Sequence, residues 1–194
     1  MWWVIGIIGA TLLYFIVGRF RAASQKNELA TVLLNHLGLS FRMMNSNPLD
    51  RTIRPDVWSD TYLLGYAYGS AMMLFLLFGN EMQTSEKGMI QVDAFKELAG
   101  DKHGEALEKM VNLNGSGDPE FTRGSGHGSD VIALMFNQAG PELLADLEVQ
   151  AALREAPQTI EMLGEVGKSA GPLADAGGVL LHTYMSRHKV EAGY

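Results

Sequence analysis

The chain contains no cysteine. That excludes disulfide staples, thiolate metal sites and a cysteine nucleophile, and leaves stability to a buried core. Charge is also scarce, at 19% of 194 residues against 47% hydrophobic ones. A chain with that balance buries enough apolar surface to fold and is not disordered. The larger, C-terminal part has too few basic residues to balance its acidic ones: residues 80–194 hold nine Lys/Arg against eighteen Asp/Glu, a net −9, whereas residues 1–79 carry +2. Nucleic-acid binding needs clustered Lys and Arg against the phosphate backbone, so nucleic acid is not an expected partner. Period-two alternation is scarce as well, which argues against a sheet and for an all-α fold.

What is present begins with a run that has no charge at all. Met1 to Gly18 reads MWWVIGIIGATLLYFIVG, and Arg19 and Arg21 follow at once. About 20 apolar residues in a helix cross the hydrocarbon layer, and snorkelling arginines extend the run to that length. Trp2 and Trp3 stand at the outer end, where amphipathic rings favour the headgroup region. A secretory signal would carry a basic leader and a small-residue cleavage site, and Arg19-Phe20-Arg21 occupies that place. Residues 1–21 therefore read as a transmembrane anchor. Cleavage after Ala22-Ala23-Ser24 and a buried N-terminal helix are the alternatives. Arg19, Arg21 and Lys26 all follow the anchor, which predicts a single pass with the N-terminus outside and residues 22–194 forming a cytoplasmic helical domain.

Within that domain, Leu29, Leu33, Leu37, Phe41 and Met44 mark one face of a helix over Ser24–Asn45, ended by Pro48. His36, on the edge of that stripe, reads as a core residue. Pro55 opens the next element. From Thr61 to Asn80 there is again no charge. By length this could be a second span, but it reads better as a core helix, with Gly65 and Gly69 spaced for close approach of another backbone. GMIQVDAFKELAG (88–100) resembles the latter half of an EF-hand. The calcium ligands fail, because Gln83, Ser85, Lys87 and Ala94 stand at ligand positions. The likeness predicts a loop-to-helix turn at Gly88, then helix from Val92 to Asn112, interrupted at Gly100 and Gly104.

Residues 114–130 read as a long Gly-rich loop, leading to a helix from Val131 to Gln138 capped by Ser129 or Asp130. Asp118, Glu120, Arg123, His127 and Asp130 make it the candidate ligand site, with His127 as a base oriented by Asp130 or Glu120. It is not a phosphate-binding Walker loop, because no Gly-Lys-Ser/Thr closes it. Gly167-Lys168-Ser169 lacks the leading glycine of that pattern, since Met162 holds its place. Pro141, Pro157 and Pro172 each predict a helix start.

The sequence thus predicts an all-α protein, an N-terminal transmembrane helix followed by a compact multi-helix domain, with no cofactor or metal. Expected partners are the lipid bilayer and another membrane or cytoplasmic protein; a homo-oligomer is compatible. The expected role is non-enzymatic, an assembly or accessory subunit of a membrane complex. The alternative is a small-ligand binder or hydrolase using the 114–130 loop.

Overall fold

A computed structural model of the chain describes residues 25–45, 50, 52–79, 82–163 and 169–194. The expected anchor, with Trp2, Trp3, Arg19 and Arg21, lies outside the described residues. All regular structure among the described residues is helical. They form two units, one ending at Ser129 and the other beginning at Asp130.

The first unit opens with α1, Gln25–Arg42, which buries Leu29, Val32, Leu33, Leu37 and Phe41 at helical spacing. Asn45, just after α1, donates from Nδ2 to the carbonyls of Asp50 and Thr52, at 3.1 and 2.6 Å. A 3-10 turn, Pro55–Ser59, buries Val57 and Trp58. The Trp58 ring lies 5.2 Å from Phe41 and 5.6 Å from Phe95. Helix α2, Thr61–Phe78, starts at Asp60, whose side chain accepts from the Leu63 N–H at 2.9 Å. It is the one helix among the described residues long and apolar enough to cross a membrane, and 61% of it is buried within the structure.

Helix α3, Thr84–Ala99, corrects the EF-hand likeness. There is no loop before Val92, and Gly88 lies inside the helix. The Glu86 carboxylate accepts from the Gln83 N–H at 3.0 Å and fixes the start. Burial of Ile90, Ala94 and Phe95 then outweighs the helix penalty of about 1 kcal/mol for Gly88. The break falls at Gly100, which has φ 53 and begins the 3-10 turn Gly100–Lys102. Helix α4, His103–Leu113, follows.

The largest correction is α5, Pro119–Met135. The stretch expected to be a loop through Asp130 is irregular only to Asp118, with Gly115 and Gly117 at positive φ in the turn. Ser129 and Asp130 lie within α5 and do not start it. Of the glycines that suggested a loop, Gly124 and Gly128 pack against α2.

In the second unit, the end of α5 buries Val131 through Met135. Helix α6, Pro141–Ala145, leads to α7, Leu147–Leu163. Asp146 starts α7: its Oδ1 accepts from the N–H groups of Glu148 and Val149, at 2.8 and 3.2 Å. Pro157 lies inside α7 and does not start a new helix. Pro157 itself is exposed, and burial of Val149, Ala152, Ala156 and Thr159 on the other side of α7 holds the helix through it despite the hydrogen bond it cannot donate. Helix α8, Pro172–Ala192, packs along α7 and buries most of Ala174 to Leu181. Its Asp175 carboxylate accepts from Ser169 Oγ at 2.6 Å and the Ala170 N–H at 3.0 Å. Gly167 and Lys168 lie outside the described residues.

Candidate functional site along the α2–α5 contact

Helices α2 and α5 meet through glycine. A Cβ on Gly65 would fall on the backbone of Phe121, and one on Gly69 on the backbone of Ser125, with Ser125 Cα at 2.8 Å. From the other side, Gly124 faces the Tyr62 carbonyl and Gly128 the Tyr66 carbonyl. Contact positions rise together along both helices, so α2 and α5 run parallel. With hydrogen where a Cβ would be, such approaches become Cα–H···O contacts, worth about 0.5–1 kcal/mol each. They offset the helix penalty of Gly124 and Gly128, which is about 1 kcal/mol each. Gly126 meets nothing within 4 Å, and no contact explains it.

Polar side chains flank this seam. Tyr62 Oη and His127 Nδ1 are hydrogen-bonded at 2.8 Å. The Arg123 guanidinium sits over the Tyr62 ring, 4.9 Å from its centroid, and pairs with Glu120 at 2.7 Å. One turn further along α2, Tyr66 Oη lies 3.0 Å from His36 Nε2, and Ser70 Oγ lies 3.3 Å from the same nitrogen. His36, Tyr66 and Ser70 are fully buried. Burial lowers the His36 pKa to about 4, so the ring is neutral near pH 7. His36 Nδ1 has no hydrogen-bond partner among the described residues.

The five residues expected to surround a ligand are instead spread along one rod. Asp118 starts α5, its Oδ1 accepting from the Phe121 N–H at 2.9 Å. Glu120, Arg123, His127 and Asp130 follow at three- and four-residue steps along one stripe. Asp118 and Asp130 are separated by about 18 Å of helix at 1.5 Å per residue. They cannot close on one small ligand. Asp130 is half-buried, and its pKa is raised to about 6, chiefly by burial and secondly by Asp146. No group of three His, Asp or Glu placed to hold a metal ion occurs among the described residues.

Sequence reasoning missed the Tyr62–His127 and Tyr66–His36–Ser70 contacts. It also missed Gly124 and Gly128, although their signal was available: both glycine pairs have the same four-residue spacing, the pattern of two helices in close contact. No family model, curated protein or solved structure matches the chain.

Proposed function

We propose that this protein is a membrane-anchored helical subunit that acts by binding other proteins, held by residues 1–21 with its helical body in the cytoplasm. The observation that carries the reading is the charge-free run Met1–Gly18 closed by Arg19 and Arg21. The binding role is supported by large apolar side chains exposed on regular helices: Met72 and Leu76 on α2, and Met89 and Val92 on α3. Met72 and Leu76 are four residues apart and so share one helix face.

We assign α2 to the core and not to a second span. Its parallel partner α5 would have to enter the bilayer with it, carrying Glu120, Arg123 and His127 at the depth of Tyr62 to Gly69. Charges at that depth are expensive in hydrocarbon.

The test is fractionation with a topology reporter. Deleting residues 1–21 is expected to release the protein from carbonate-washed membranes. A reporter active only in the cytoplasm is expected to score when fused after Tyr194. If the truncated chain stays on the membrane, or the fusion scores outside, the reading fails.

A further inference from the structure

We propose that the exposed turn between α4 and α5 is a self-modifying site. There Asn114 is converted slowly to aspartate and isoaspartate, and the change loosens the start of α5. The inference goes beyond the binding role above and does not depend on it.

Asn114-Gly115 is the one Asn-Gly pair in the chain. Asn114 closes α4, and both residues are exposed. Among the described residues, neither the Asn114 side-chain amide nor the Gly115 N–H has a hydrogen-bond partner. The N–H groups on either side are bonded, Asn114 to the Met110 carbonyl and Ser116 to the Leu113 carbonyl, both at 3.0 Å. Gly115 has φ 87, a conformation that L side chains rarely adopt. The turn therefore requires glycine at 115, and glycine brings no side chain to shield its own nitrogen.

The reaction is an intramolecular acyl transfer between neighbouring groups. Solvent hydroxide takes the Gly115 amide proton, and the nitrogen attacks Asn114 Cγ. A bond from Gly115 N to Cγ forms, the Cγ–Nδ2 bond breaks, and ammonia leaves with a proton from water. Water then opens the five-membered imide. Opening at Cγ gives aspartate, and opening at the Asn114 backbone carbonyl gives isoaspartate. At its ψ of 113 the Asn114 backbone points the Gly115 nitrogen away from Cγ. The Cα–C bond must rotate first, so the reaction belongs to a locally opened turn.

Either product puts a carboxylate at the C-terminal end of α4, where the macrodipole disfavours it. Isoaspartate also adds one methylene to the backbone before Gly115. In the unmodified turn the Leu113 carbonyl accepts from the Ser116 N–H and from Ser116 Oγ, the latter at 2.8 Å. Ser116 Oγ accepts from the Asp118 N–H at 3.1 Å, and Asp118 starts α5. The longer link pulls Ser116 from the Leu113 carbonyl and loosens α5 where its glycine contacts with α2 begin.

The test ages the full chain in detergent micelles at mildly alkaline pH. Peptide mass spectrometry follows the unit mass gain at each asparagine, and enzymatic methylation counts isoaspartate. Asn114 is expected to react at least about tenfold faster than Asn112, which lies inside α4 and precedes leucine. Ser116→Ala removes two hydrogen bonds of the turn. It is expected to speed the reaction about threefold in the folded chain and to leave the rate in denaturant unchanged. After ageing, amide exchange over residues 119–128 is expected to rise in the natural chain but not in Asn114→Gln, whose longer side chain closes a ring far more slowly. Fresh Asn114→Asp, with the charge but no added methylene, is expected to give a smaller rise. Three outcomes would each overturn the proposal: Asn114 reacting no faster than Asn112, a folded Ser116→Ala chain with no change in rate, or equal exchange in the aged natural chain and Asn114→Gln. Circular dichroism checks that Ser116→Ala folds, and the comparison with Asn114→Gln stands without that variant.

Discussion

Tyr66 and His36 are hydrogen-bonded at 3.0 Å in a part of the core where neither side chain meets solvent. The bond joins α2 to α1, with the rings stacked at 5.6 Å between centroids. An imidazole held this way is useful to the fold only while neutral.

A loss of stability in acid follows from that bond. His36 has a folded pKa of about 4 against its ordinary 6.5, so the unfolded chain takes up the proton first. Its stabilising effect is complete above pH 6.5 and is lost as pH falls toward 4, by roughly 3 kcal/mol at full protonation. Urea unfolding at pH 7.5 and pH 4.5 measures it. His36→Gln is expected to flatten the dependence; an unchanged slope would show that another group titrates.

Asp130 works in the opposite direction. Its folded pKa is raised to about 6 from 3.8, so the folded state keeps the proton longer. Its effect is complete below pH 3.8 and is lost as pH rises through 6. Asp130→Asn is expected to raise the melting temperature at pH 7.5 and leave it nearly unchanged at pH 3.5. A lower melting temperature at pH 7.5 would contradict the burial argument.

The glycines of α5 are expected to respond with opposite signs. Gly128→Ala puts a Cβ against the Tyr66 carbonyl and Ser70, and is expected to cost about 1–3 kcal/mol. Gly126→Ala meets open space and is expected to stabilise by up to about 1 kcal/mol through helix propensity. Denaturant midpoints of the two variants, measured side by side, check the seam. Equal shifts would mean that α2 and α5 do not touch there.

Asp118 is expected to matter as a helix start. Asp118→Ala removes the acceptor for the Phe121 N–H and is expected to cost about 1 kcal/mol, while Asp118→Asn retains most of it. Thermal melts of both variants decide it. Equal losses would point to the charge and not to the cap.

Much of the helical body was legible because apolar spacing and proline starts are local signals. The stripe from Leu29 to Phe41, the start at Pro141 and the last helix from Pro172 all could be read this way. Residues 119–129 could not, because glycine is the poorest ordinary helix former when counted alone. Its presence in α5 depends on Tyr62, Tyr66 and Ser70, which lie far away in the chain. Pro157 misled in the same manner, since the burial of Val149, Ala152 and Ala156 that carries α7 through it is a tertiary effect that a local start signal does not show. The candidate ligand residues were misplaced for one reason: a segment taken as flexible, able to fold around a ligand, is a straight helix.

The seam between α2 and α5 also bears on the order in which the chain can fold. Ser129 and the Gly69 carbonyl it contacts are 60 residues apart, with α3 and α4 lying between them. Closing so long a loop costs entropy before any contact rewards it, whereas the α3–α4 hairpin is nearly local. On a growing chain, α2 is complete well before α5 emerges and must wait with its glycine face uncovered. The seam is then a late event, and substitutions at Gly69 or Gly128 act mainly on the unfolding rate and hardly slow folding.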